Sequence, residues 1–148
     1  MDYYKVPTQF LLDARVGDEF EPREITITQE MVDRNAWAND DYNPWYMEDS
    51  PFGGPIAPPT YLVHQYLELF HGHYYDPPGG GYWTRHEFEF INPLKIGKKL
   101  RVTGRLIDRY PKKGRDHFVS EIIVTDEDGN EIVRMRGSIA HPAKARPE

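Results

Sequence analysis

The sequence has no cysteine, which excludes disulfides and thiolate metal sites and agrees with a reducing compartment. It has no apolar run of the 18 or more residues that a spanning helix needs, and no charged-then-apolar leader at its start. A cytoplasmic protein with no membrane contact is therefore expected. Positive charge is also scarce, with 18 Lys and Arg against 24 Asp and Glu for a formal net charge of −6. The basic residues are scattered, and phosphate binding needs them concentrated on one face, so nucleic acid is not an expected partner. The densest basic cluster, Lys112, Lys113 and Arg115, sits beside Pro111 and Gly114 and reads as a solvated hairpin loop. No repeat of solenoid period is present. Gly79-Gly80-Gly81 lacks the preceding strand and the following Lys-Ser/Thr of a phosphate loop. His71 and His73 form a His-x-His, but no Asp, Glu or Cys stands at ligand spacing beside them in the sequence, so neither a metal nor any other cofactor is expected.

What is present is one domain's worth of chain, 148 residues with ten tyrosines, enough to bury a core and rich in side chains suited to an interface. The densest run of special residues is Asp41 to Asp49 followed by Phe52 to Thr60, immediately before the best apolar helix, Tyr61 to Phe70. An acidic residue, an Asn-Pro turn, a diglycine and a diproline there describe a shaped loop delivering groups to a helix N-terminus. Ahead of it, residues 1–16 read as an N-terminal arm, Arg23 to Thr28 alternates like a half-buried strand, and Thr28 caps a short helix ending near Asn39. Pro58-Pro59 fits a first helical turn, where amides have no intrahelical partner, and His71-Gly72 ends the helix.

Four strands follow: Trp83 to Ile91, Leu100 to Tyr110, Phe118 to Thr125, and Ile132 to Ala140. The turns between them are Asn92-Pro93 to Gly97, Pro111 to Gly114, and Asp126 to Asn130, the last an Asp-Gly hairpin signal. The domain is set at 17–141, with a flexible tail over 142–148. One helix before four consecutive strands gives an α+β fold, a long central helix wrapped by a curved antiparallel sheet. An open sheet edge pairs readily with a second chain, so a dimer is expected.

The loop resembles that of the MaoC-like hydratase and dehydratase family, which has the hotdog fold. The family pattern Asp-x-Asn-Pro-x-His, followed by a Gly-Gly-Pro-Ile-Ala segment opening the central helix, is similar to Asp41-Tyr42-Asn43-Pro44-Trp45-Tyr46 and Gly53-Gly54-Pro55-Ile56-Ala57-Pro58-Pro59-Thr60. The Ile-Ala-Pro-Pro-Thr wording is nearest the acyl dehydratase branch related to fungal-type fatty-acid synthases, and Asn92-Pro93-Leu94 with Gly97 extends the likeness. The resemblance implies water addition to a trans-2-enoyl thioester, or its reverse, on an acyl-CoA or acyl-carrier substrate. In the family, Asp and His hold the water and an amide at the helix start steadies the thioester oxygen.

Carried over by position, Asp41 takes the aspartate's place and Asn43 the asparagine's, with Gly53, Gly54, Ile56, Ala57, Pro58, Pro59 and His64 as substrate-binding candidates. The histidine's place is taken by Tyr46, a poor base at neutral pH because a phenol titrates near ~10. The oxyanion glycine falls on Pro59, which has no amide hydrogen, and a polar helix position on Leu67. The losses resemble the non-catalytic, substrate-shaping subunit of a heterodimer whose His-bearing partner carries the chemistry. Two other readings stand beside it: a self-sufficient, homodimeric hydratase or dehydratase using Asp41 with Tyr46, His64 or His86, and an acyl-CoA thioesterase or acyl-binding protein. Lys95, Lys98, Lys99, Arg101 and the Lys112 to Arg115 loop are candidates for contacting CoA phosphates. Each residue also has a plainer role open to it: Asp41 as a turn cap, Tyr42, Trp45 and Tyr46 as packing, His64 as an interior or interface histidine, His86 and His117 as hydrogen-bonded strand residues.

Overall fold

The computed structural model describes residues 6–7, 9–77 and 79–143. The first five residues of the expected arm, and the tail beyond Ala143, lie outside the described residues.

Strand β1 (Gln9–Phe10) leads into a 3-10 turn at Leu11–Asp13, then β2 (Arg23–Thr26) and helix α1 (Gln29–Asn39). Thr28 caps α1 as its sequence position suggests, its hydroxyl accepting from the Met31 N–H at 3.3 Å. The helix ends because Asp40 turns left-handed at φ 52°. A single-turn helix, α2 (Pro44–Met47), follows. Pro59–Leu62 is a 3-10 turn that runs into α3 (Val63–His73). The helix therefore carries past His71-Gly72, where the sequence suggested it would stop. Two residues, β3 (Tyr74–Tyr75), pair in parallel with β1, and β4 (Tyr82–Phe90), β5 (Lys99–Lys112), β6 (Arg115–Asp126) and β7 (Glu131–Pro142) complete the chain. The β5–β6 hairpin is tighter than its Pro-Gly signal implies: Pro111 and Lys112 stay in the strand, and only Lys113 and Gly114 turn, both at positive φ.

The expectation that the sheet wraps the helix is corrected here. Five strands hydrogen-bond in the order β2-β5-β6-β7-β4, all antiparallel, and the sheet is neither closed nor curled around α3. Strand number gives the reason: five strands spaced about 4.8 Å apart make a ribbon roughly 20 Å wide, whereas a barrel whose interior only holds side chains already takes about eight strands. The helix therefore lies against one face, and β2 and β4 remain open edges.

The core sits in that helix–sheet layer. Leu100, Val102 and Leu106 of β5, in the phase that the alternation predicts, are buried with Ile122, Val124, Met135 and Ile139 against Tyr66, Leu69 and Phe70 of α3. Two glycines set the approach of α3: a Cβ on Gly137 would collide with the Tyr66 ring, and one on Gly104 with Ile122 and Leu69. The Tyr66 hydroxyl donates to the Gly137 carbonyl at 2.8 Å, and burial pushes its pKa up to about 12.

Candidate active site

The loop between α1 and α3 is built by side chains that hydrogen-bond its own backbone. Asn43 caps α2, its Oδ1 accepting from the Trp45 N–H at 3.0 Å. Asp49 accepts from the Gly54 N–H at 2.8 Å, and the Ser50 hydroxyl donates to the Gly54 carbonyl at 2.6 Å. Gly53 and Gly54 hold φ of 81° and 89°, a bend that a side chain would strain. The Ile56 N–H donates to the Trp45 carbonyl at 2.9 Å and the Ala57 N–H to the Leu94 carbonyl at 2.8 Å, so Ile56, Ala57 and Pro58 are buried as the segment enters the helix. Gln29 of α1 donates to the Tyr46 carbonyl at 2.8 Å, tying α1 to α2. The site candidates thus divide. Asn43, Gly53, Gly54, Ile56, Ala57 and Pro58 shape the loop, while Asp41, Pro59 and His64 are exposed.

Asp41 and Tyr46 are brought together electrostatically. Burial pushes the Tyr46 phenol above its ordinary value and the Asp41 charge pushes it further, so the hydroxyl is protonated at neutral pH. Tyr61, at the start of α3, is raised likewise by burial and by Glu68. Around this loop the side chains of Trp37, Tyr42, Trp45 and Phe52 are exposed, Trp45 and Phe52 edge to face at 6.0 Å. His64 does not face them from within the core. His86 lies on β4 among Trp83, Tyr66 and Phe88, at ring distances of 4.5, 4.9 and 4.3 Å. Burial lowers its pKa and favours neutral imidazole. Of the basic candidates, Lys98 is paired with Asp128 at 2.6 Å, Lys99 with Glu24 at 3.1 Å, and Arg115 stacks over the Tyr82 ring at 4.9 Å.

A second group of titratable residues lies at the other end of α3. His71 Nδ1 is 3.7 Å, and His141 Nε2 3.6 Å, from the same Asp76 Oδ1. They open onto a cavity of about 290 Å³. The sequence shows no carboxylate beside His71 at ligand spacing, because Asp76 follows a helix end and His141 comes from the last strand. The hint that was available is the Pro77-bounded loop right after the helix, which folds back. Among the described residues, no group of three or more His, Asp or Glu is spaced to hold a metal ion. His73, the other half of the His-x-His, turns instead against Phe20, at 5.2 Å between rings.

The family model described as "FAS1-like, dehydratase domain region" matches residues 14–135. The chain belongs to this family. Its hotdog, MaoC-like character is shared with solved structures at low identity. A MaoC-like dehydratase from Rhodospirillum rubrum is 20% identical at a TM-score of 0.76, over 95% of this chain and 100% of that one. The (R)-hydratase PhaJ1 from Pseudomonas aeruginosa is 18% identical at 0.71, over 93% and 86%. The HadBC 3R-hydroxyacyl-ACP dehydratase complex from Mycobacterium tuberculosis is 18% identical at 0.73, over 88% and 100%. No curated protein sequence matches the chain. For this MaoC-like chain the likeness to solved structures establishes the fold, and no helix of the described residues is long and apolar enough to cross a membrane.

Proposed function

We propose that this MaoC-like chain is the substrate-shaping, non-catalytic subunit of an enoyl-thioester hydratase or 3-hydroxyacyl-thioester dehydratase, working with a His-bearing relative. The residue that carries the reading is Tyr46, which the motif resemblance sets at the family's histidine position. A general base must accept a proton near neutral pH to supply its roughly 10²–10⁴-fold. A phenol raised by burial and by Asp41 is already protonated and holds its proton. Two further features support it. Pro59 brings no N–H to the start of the central helix, where one oxyanion donor is typically worth about 3–4 kcal/mol. Among the described residues no histidine hydrogen-bonds or ion-pairs with Asp41: His64 is exposed and His86 is enclosed by aromatic rings. That HadBC, with a similar fold, is a complex of a 3R-hydroxyacyl-ACP dehydratase agrees with a two-chain arrangement here.

In this reading the exposed aromatic side chains around Asp41 face the acyl thioester and the partner, and Asn43, Gly53 and Gly54 hold that surface in shape. The test is water addition to crotonyl-CoA and to a longer enoyl-CoA, by the purified chain alone and after mixing with a MaoC-like chain that keeps its histidine. Turnover only in the mixture, unaffected by Asp41→Asn in this chain, is the expected result. Turnover by this chain alone that vanishes in Asp41→Asn overturns the proposal.

A further inference from the structure

We infer that the cavity at the C-terminal end of α3 binds a small, neutral, hydroxyl-bearing molecule with a compact apolar body, its hydroxyl seated between the Asp76 carboxylate and the imidazoles of His71 and His141. The inference stands apart from the Asp41 loop and does not depend on the partner reading. Separations of 3.6 and 3.7 Å from Asp76 Oδ1 to His141 Nε2 and His71 Nδ1 are too long for direct hydrogen bonds. All three groups are therefore left able to bond to a further polar group in the cavity. A hydroxyl oxygen matches that set: it donates its one hydrogen to the carboxylate and accepts from imidazole N–H groups with its two lone pairs.

His141 makes the case sharper. Its side chain is 1% exposed, and neither ring nitrogen has a hydrogen-bond partner among the described residues. Buried polar atoms without partners call for an explanation, and of those in this chain the two of His141 are the ones that border this cavity. Gly81 leaves room for the ring, since a Cβ there would overlap it. Leu67, Trp83 and Ile139 supply an apolar wall to the same cavity of about 290 Å³, so an apolar body beside the hydroxyl is covered where water alone would leave the wall wetted.

Charge selects the class of ligand. The Asp76 carboxylate repels an anion. The Arg115 guanidinium, stacked at 4.9 Å over the Tyr82 ring that lines the cavity, puts a positive charge near His141 and disfavours a cationic head. Burial together with His71 and Arg115 lowers the pKa of His141 despite the opposing pull of Asp76, so its imidazole is neutral at pH 7. Among the described residues no group of three or more His, Asp or Glu is arranged to hold a metal ion.

The experiment titrates the full chain with cyclohexanol while the His141 imidazole and Trp83 indole signals are followed by NMR. Cyclohexanone, which only accepts, cyclohexylammonium, which only donates and is charged, and zinc are run in parallel. Saturable shifts of both residues by cyclohexanol, weakened about ten-fold in Asp76→Leu and partly recovered in Asp76→Asn, are expected. If Asp76→Leu does not fold, His71→Phe, at an exposed position, takes its place. Equal binding of all three cyclohexyl probes would mean an apolar hollow only. Preference for cyclohexylammonium or zinc would mean a cation site, and no saturable shift would mean a cavity that holds water alone; each of these outcomes overturns the inference.

Discussion

Asp18 Oδ2 accepts three hydrogen bonds, from the Gln9 side-chain amide at 3.0 Å, the Arg15 N–H at 2.9 Å and the Tyr74 hydroxyl at 2.7 Å. Burial alone would raise this carboxyl, but the three donors outweigh it and hold the pKa below the ordinary value. The sign follows: a carboxylate depressed in the folded state stabilises the protein above the unfolded value near ~4 and loses that contribution as pH falls through the folded value. Asp18→Asn is therefore expected to cost about 1–2 kcal/mol at pH 7, the low end because the group is part-exposed. Urea denaturation should show the gap from the parent narrowing as pH drops below ~4. Single residues were only partly legible from the sequence. Gly17-Asp18 reads there as a turn, and nothing local reveals that Tyr74 donates to it. The same limit hid Asp76 and His141 from each other. Tyr46 and Pro59 stood out because a motif with fixed spacing surrounds them.

Elements whose signals are local were legible. The Thr28 cap, the end of α1 at Asn39, the buried phase of β5 and the Asp126 to Asn130 hairpin all follow from neighbouring residues. The parallel pairing of β1 with β3 was not, since two-residue strands have no period to read. Nor was the 3-10 start of α3, where Pro58 and Pro59 remove two backbone donors at the entry to the helix. Arg109 of β5 holds the resulting N-terminal strut, donating to the Leu12 and Ala14 carbonyls at 2.8 and 2.9 Å. The same guanidinium pairs with Asp116 at 3.0 Å and covers the Phe118 ring at 4.8 Å. Arg109→Ala is expected to destabilise the chain by about 2 kcal/mol, because two carbonyls and a half-buried carboxylate lose their donor. Amide hydrogen exchange should quicken at Phe10 to Ala14 more than in β6 and β7; uniform quickening would show that the arm is not a separate unit.

At the scale of the whole molecule, three histidines from different elements share one sign. His73, His86 and His141 are each lowered, chiefly by burial, so the folded state takes up protons less readily than the unfolded chain. Their contribution to stability is complete above the unfolded value near ~6.5 and is lost as pH falls towards the lower folded values. The melting temperature should fall between about pH 7.5 and 5.5, and His86→Phe should flatten that slope, since His86 has aromatic neighbours that accept a phenyl ring. The element content of the fold, a helix followed by four strands, was legible at this scale, but the sheet's shape was not, because whether it closes depends on how many strands join it and in what order, which no local pattern records. The strut at the front of the chain also has a consequence in time. Ala14 leaves the ribosome long before Arg109, 95 residues later, which supplies its hydrogen bond. At roughly 5–20 residues per second, that interval is on the order of 5–20 s. For its duration Leu11 and Leu12, both buried in the finished protein, are apolar groups without a core, open to any chaperone that reads such segments.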